Sequence, residues 1–260
     1  MGERPRSEGV RDRSEGARTC DAAPLTRPRV GVIPCSMCNR VRADFEFRET
    51  KVRWNLFNDL PEFKPSHNIA PDRGDILAVV KSDAGNAGRL MWWPLISSFA
   101  KTMKLEYSTS NATAERLLQS AVYKRLVGKR RCLIPINGFY EWRGAKPPKT
   151  PFYIYLKSEE PFGLAGLWDT WEKPDGSLLE SFTIITTEPN ELMRTIHRRM
   201  PVILHREDEE KWLDCSATPF EKVQSLLKPF PSDLMEAHEV AKRVNNPKYD
   251  APDCIAPVEE

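Results

Sequence analysis

No stretch of this chain approaches the run of roughly 18 apolar residues that a membrane-crossing helix needs. Its first residues, MGERPRSEGVRDRSEGAR, also lack the apolar segment of a secretory leader. Basic side chains there alternate with Glu3, Glu8, Asp12 and Glu15, unlike the acidic-poor pattern of an organelle transit peptide. These absences predict a cytoplasmic protein with no membrane partner. Charge of one sign is scarce too. With 39 Lys and Arg against 37 Asp and Glu, the net charge of +2 leaves any nucleic-acid surface to local clusters. Cysteines at 20, 35, 38, 132, 215 and 254 follow no disulfide framework and read as free thiols of a reducing compartment. Cys35-Ser-Met-Cys38 has C-x-x-C spacing, but no second C-x-x-C and no H-x-x-x-H accompanies it, so neither a metal nor a cofactor is expected.

What is present is a chain that changes character at Met37. Residues 1–36 are rich in Arg, Gly, Ser and Pro without periodic apolar positions, the composition of a disordered extension or of a segment foreign to the mature protein. Beyond it, Ile76–Val80, Cys132–Ile136, Phe152–Leu156 and Phe182–Thr186 are short apolar, β-branched or aromatic runs bounded by turn formers, and predict strands. Lys173-Pro-Asp-Gly176 reads as a hairpin turn between strands. Apolar residues at Ala114, Leu117, Leu118, Ala121 and Val122 predict an amphipathic helix over 113–127. Short helices are expected over 207–213 and 219–227. The simplest architecture is one β-rich α+β domain spanning 37–258.

Three places put reactive side chains in surroundings unlike a core: Met37-Cys38-Asn39-Arg40, Gly138-Phe-Tyr-Glu-Trp142 and Ile196-His-Arg-Arg-Met-Pro201. Each has a bland alternative. Glu141 could be a carboxylate on a strand edge, and His197 beside two arginines a solvated basic loop. Asn111 could cap the helix that follows it. Against this, a carboxylate between Tyr140 and Trp142 is partly desolvated, which biases it towards its protonated form and suits it to proton transfer. The basic clusters Lys124-Arg125, Lys129-Arg130-Arg131 and Arg198-Arg199 are each as readily solvated surface as a DNA footprint.

Taken together, Met37-Cys-x-Arg40, Asn68-Ile-Ala-Pro71, Met91-Trp-Trp-Pro-Leu-Ile96, Asn111, Arg131-Cys-Leu-Ile-Pro135 running into Gly138–Trp142, Ile196–Pro201 and Val244-Asn-Asn-Pro247 resemble, in order, the SRAP family of SOS-response-associated, abasic-site processing proteins. The resemblance implies an SRAP-type fold and a mature chain that begins at the cysteine. The α-amine and thiol of Cys38 would then both react with the ring-opened aldehyde of an abasic deoxyribose, first as a Schiff base and then as a thiazolidine. It also implies that Asn111 holds the cysteine and sugar, that Glu141 assists ring opening and proton transfer, and that His197 and Thr186 lie by the Schiff base. Arg40, with Lys124, Arg125 and Arg198, is expected to contact phosphates, and Trp92 and Trp93 to stack on unpaired bases.

The chemistry is physically reasonable. Amine and thiol have ordinary pKa values of about 8 and about 8.5, so both are partly reactive near neutrality. Only a free amine permits the five-membered ring, so Cys38 must be the first residue. The reading therefore requires that translation begins at Met37, or that residues 1–36 are removed. Two positions depart from the family pattern: Asn39 stands where Gly is usual, and Thr113 where Arg is often found. The predicted partner is single-stranded DNA bearing abasic sites, met by a monomer that is nucleoid-associated when bound. The predicted activity is a lyase-like, suicidal crosslinking. Two alternatives use the same sequence: a thiol autopeptidase built on Cys38, Glu141 and His197, and a non-catalytic binder of single-stranded DNA indifferent to Cys38.

Overall fold

The structure, a computed structural model, describes residues 39–105 and 107–258. Met37, Cys38 and the 1–36 extension lie outside the described residues. The chain from Asn39 forms β1 (Val41–Ala43), α1 (Phe47–Arg53), β2 (Ser66–Ile69), β3 (Asp75–Ser82), β4 (Gly85–Trp92) and β5 (Asn111–Thr113). There follow β6 (Arg131–Ile136), β7 (Gly138–Arg143), β8 (Thr150–Leu156), β9 (Phe162–Glu172) and β10 (Leu178–Thr187). The last part contains α2 (Glu191–Arg194), β11 (Met200–Pro201), α3 (Arg206–Leu213), α4 (Phe220–Val223) and β12 (Met235–Glu239). No helix among the described residues is long and apolar enough to cross a membrane.

The strands build two sheets. The first runs β12-β8-β7-β1-β2, antiparallel throughout. In the second, β10, β4, β3, β6 and β9 succeed one another and β9 returns to pair with β10, closing a five-stranded barrel to which β5 and β11 are added along β10. Strand β3 shows why the strand runs are continuously apolar rather than alternating. Ile76, Ala78 and Val80 join the core shared with Val41, Phe139 and Ile154 of the first sheet, while Val79 packs from the other face with Leu133, Leu167, Trp212 and Phe220. Both faces are covered, so both parities must be apolar. The expected β-rich domain with few short helices is what the chain forms.

Strand β9 was not among the expected strands, because its Gly163 and Gly166 interrupt the apolar pattern. The structure makes Gly166 a requirement. It pairs with Cys132 on one side and Ile184 on the other, and a Cβ there would stand 2.3 Å from Cδ1 of Ile134 and 2.9 Å from the Thr183 carbonyl. Barrel closure brings two neighbouring strands too near for any side chain. The turn after β9 is the expected one: Gly176 N–H donates to the Lys173 carbonyl at 2.9 Å, with Gly176 at φ 81°.

The helix expected over 113–127 does not form as such. Asn111–Thr113 instead pairs in parallel with Ile184–Thr186, and the chain continues through 3-10 turns at Ala114–Arg116 and Tyr123–Arg125. Of the five apolar positions in that spacing, Leu117 and Val122 are in the core, Ala114 is half-buried, and Leu118 and Ala121 are exposed. The edge of β10 offered Asn111–Thr113 backbone partners that a helix would have forgone. The basic cluster at 129–131 divides as well. Arg131, 1% exposed, is no surface cation: it donates to the carbonyls of Val127, Trp212, Asp214 and Thr218 at 2.5–3.0 Å and ties the α3 region to β6.

Because Gly166 must be bare, Gly166→Ala is expected to force strand displacement and to cost about 1–3 kcal/mol of stability. The check is the melting temperature followed by circular dichroism, which should fall by several degrees. An unchanged melting temperature would show that the barrel tolerates a Cβ at this closure.

Candidate active site

The far end of β10 collects the site. Ile184 pairs with Asn111 and Thr186 with Thr113 on one side, and Thr186 pairs with Pro201 on the other. Strand β5 thereby presents Asn111, and the loop leading into β11 presents His197. Thr186 itself is fully buried, its hydroxyl 3.5 Å from the Ala112 carbonyl. Glu141 comes from the first sheet, on β7, and is 2% exposed. Its Oε1 lies 3.8 Å from Nδ1 of His197, so residues distant in sequence and drawn from the two sheets meet here.

The imidazole is held by its own loop. Nδ1 of His197 is 3.3 Å from both the amide nitrogen and the carbonyl oxygen of Arg199, so either tautomer finds a backbone partner. Burial lowers the His197 pKa first, and Lys149 and Arg198 lower it further, while the Arg199 carbonyl opposes them. The ring is biased towards its neutral, proton-accepting form, and its approach to Glu141 is not that of an ion pair. Arg199 fixes this loop. Its guanidinium makes two 2.8 Å bonds to the Glu115 carboxylate and donates to the Thr186 carbonyl at 2.7 Å. In the sequence Arg199 was only one of a pair of adjacent cations; nothing in the spacing linked it to Glu115.

The first described residues lead into the same place. Nδ2 of Asn111 donates to Oδ1 of Asn39 at 2.9 Å, and the Tyr140 amide donates to the Arg40 carbonyl at 2.9 Å. The residue that follows Cys38 therefore touches Asn111, and the residue after that is bonded to the immediate neighbour of Glu141. Asn39, which replaces the usual glycine, is accommodated by this side-chain contact. Cys38 itself lies outside the described residues.

The predicted DNA contacts fare unevenly. Trp93 is a core residue rather than a stacking platform: it is fully buried, stacked on Phe182 with ring centroids 6.0 Å apart, and its Nε1 donates to the Ser110 carbonyl at 2.9 Å. Trp92 is half-buried at the end of β4. Arg40 is not displayed on the surface. It is 9% exposed, and its Nη1 donates to Oδ1 of Asn68 at 2.8 Å and to the Val244 carbonyl at 2.5 Å. Arg125 is paired with Asp169, bonded to Ser97 and laid over Phe99, none of them in the site. Lys124 and Arg198 are exposed. Among the described residues no three His, Cys, Asp or Glu side chains converge as a metal site would require, and Cys132, Cys215 and Cys254 are free thiols.

Comparison with known proteins identifies the family. The sequence model described as SOS response associated peptidase (SRAP) matches residues 37–247. The abasic site processing protein YoqW of Bacillus subtilis is 41% identical over 222 residues, covering 84% of this chain and 99% of the relative. The abasic site processing protein HMCES of Gallus gallus is 32% identical over 88% of this chain and 78% of its own length. A crystal structure of a protein from Bacteroides thetaiotaomicron superposes with a TM-score of 0.76 at 28% identity, over 85% of this chain and the whole of that one. The chain belongs to the SRAP family.

Proposed function

We propose that this chain processes abasic sites by crosslinking itself to them in single-stranded DNA, through Cys38 as the first residue of the mature protein. The observation that carries the proposal is the pair of contacts, Asn39 with Asn111 and Arg40 with Tyr140, which leads the chain directly downstream of Cys38 to Asn111 and the strand of Glu141. The names of the relatives support the substrate. The match that begins at residue 37 supports Met37 as the working start, followed by removal of that methionine.

The steps balance as follows. The closed abasic sugar opens as its C1′–O4′ bond breaks: Glu141 gives a proton to the ring oxygen, and the C1′ hydroxyl loses its own proton to water to become the aldehyde. The free α-amine of residue 38 adds to the aldehyde carbon, and the carbinolamine loses water to leave an imine. The thiolate then adds to the imine carbon while the nitrogen is protonated, closing a thiazolidine; the net loss is one water. A neutral His197 takes the proton that the attacking amine must shed. Two titratable groups so close, one buried carboxyl and one imidazole kept neutral, suit opposite proton-transfer roles. An internal cysteine offers only a thiol, so an acyl-transfer peptidase chemistry would not need the amine. That requirement separates this reading from the peptidase activity in the family's description.

The test is the adduct itself. Cys38→Ser, in a chain starting at Met37, is expected to lose the heat-stable adduct while keeping an imine that borohydride traps. A heat-stable adduct from the serine variant without reductant would overturn the proposal. Single-turnover crosslinking followed against pH tests the proton transfers. Wild type should slow as pH falls below the amine's ordinary pKa of about 8, and more steeply below the His197 pKa, which lies under its usual value of about 6.5. His197→Ala should lose only that steeper part and react more slowly above it, and Glu141→Gln should slow the reaction by about 10²–10⁴-fold without weakening DNA binding. Wild-type rates from Glu141→Gln at every pH would reduce that carboxylate to a structural one.

A further inference from the structure

Arg40 poses a physical problem. Its guanidinium is buried, its pKa is lowered by that burial, and among the described residues no carboxylate pairs with it. Its partners are neutral dipoles, Oδ1 of Asn68 and the carbonyl of Val244, with the Trp142 ring 5.6 Å from the charge. A buried cation held without a counter-ion is costly and is poorly explained as a source of stability alone.

Its partner Asn68, 3% exposed, is the node of a network. While Oδ1 accepts from Arg40, Nδ2 lies 3.2 Å from the Val244 carbonyl, 3.2 Å from that of Asn246 and 2.7 Å from that of Tyr249. The same C-terminal segment is tied on either side. Nε1 of Trp142 donates to Oδ1 of Asn245 at 2.6 Å, next in sequence to Glu141. Asp250 accepts from Ser66 and from the His67 amide at 2.8 and 2.6 Å. Tyr140, on the other flank of Glu141, donates its hydroxyl to the His67 carbonyl at 2.7 Å, and burial pushes its phenol well up, keeping it a donor. The segment from Val244 to Asp250 thus grips β2, Trp142 beside Glu141, and Arg40, while β2 in turn holds Tyr140 on the other flank.

We infer that Asn68 and the Val244–Asp250 segment are positioning elements for the reacting end of the chain. The inference rests on the proposed function above. Arg40 is two residues from Cys38, so fixing Arg40 confines the nucleophile to within about 8 Å of a fixed point. A terminal amine otherwise free to swing must be held if it is to meet an aldehyde presented by a bound strand, and misplacement by about 1 Å costs rates of order 10². Burying Arg40 and ordering the chain beside Cys38 both cost free energy, and what they secure is a placed nucleophile. Neither Asn68 nor the segment is given a part in the bond-making steps.

The experiment compares two aldehydes. Wild type and Asn68→Ala, both starting at Met37, are reacted with abasic single-stranded DNA in single turnover and, separately, with free glyoxylate, which diffuses to the aminothiol and needs no positioning. Asn68→Ala is expected to crosslink DNA about 10- to 100-fold more slowly at saturating DNA, with the half-saturating DNA concentration and the glyoxylate rate unchanged. A folded Asn68→Ala that crosslinks DNA at the wild-type rate would overturn positioning and leave the proposed function standing. Loss of both reactions in parallel would also overturn it, as general damage. Wild type that captures glyoxylate but forms no DNA adduct would overturn the proposed function instead. Should Asn68→Ala not fold, Asn245→Ala removes only the rim bond to Trp142 and must still slow DNA crosslinking by at least about threefold; an unaltered rate there overturns the inference equally.

Discussion

Strand β10 bonds to four others along its length: β9 and β4 where the barrel closes, then β5 and β11 at the far end, where the site lies. Two short pieces of chain would have no structure without it. Asn111–Thr113 and Met200–Pro201 are too brief to persist alone, and exist as strands because Ile184–Thr187 supplies their backbone partners. Asn111 and the His197 loop are therefore placed by main-chain hydrogen bonds rather than by side-chain packing. The Arg199–Glu115 pair with its bond to the Thr186 carbonyl then locks both flanks to the same strand. Positional precision at the site follows from burial of a strand that carries little of the chemistry itself.

The first sheet contributes differently. Glu141 lies on β7, whose neighbour β1 holds the beginning of the described chain, so one antiparallel pair brings Glu141 and the segment that follows Cys38 together. His197 arrives from the other sheet. Joining the two sheets through the core of Val41, Phe139, Ile154, Ile134 and Phe182 is thus what brings the carboxyl and the imidazole within reach of each other. A His197 biased towards its neutral form is the electrostatic consequence, since burial works against charge on the ring.

Much of the fold was legible because β3, β6, β8 and β10 are apolar runs ended by turn formers, and the Lys173–Gly176 turn has its chemistry on display. Strand β9 was hidden because closure demanded glycine where the pattern needed a side chain. The 113–127 region was misread for the opposite reason. Periodicity records which side chains are buried, not which hydrogen bonds the backbone makes, and an available strand edge decided the latter. At the site, Glu141 and His197 stood out through their neighbours, yet nothing linear revealed that they meet. The adjacent tryptophans show the limit most clearly: successive strand-like residues face opposite ways, so one of them was bound for the core, and burial beside Phe182 selected Trp93. Arg40 and Arg131 look like surface cations in the sequence. Only the fold shows the carbonyl groups that take them in.

The central claim is that a free α-amine on Cys38 is required for covalent capture of an abasic site. Intact mass of the purified protein, alone and after mixing with abasic single-stranded DNA, tests it in a single measurement. The account predicts a chain beginning at Cys38 that gains the mass of the oligonucleotide less one water. An adduct formed by protein whose mass still includes residues 1–37 would contradict it.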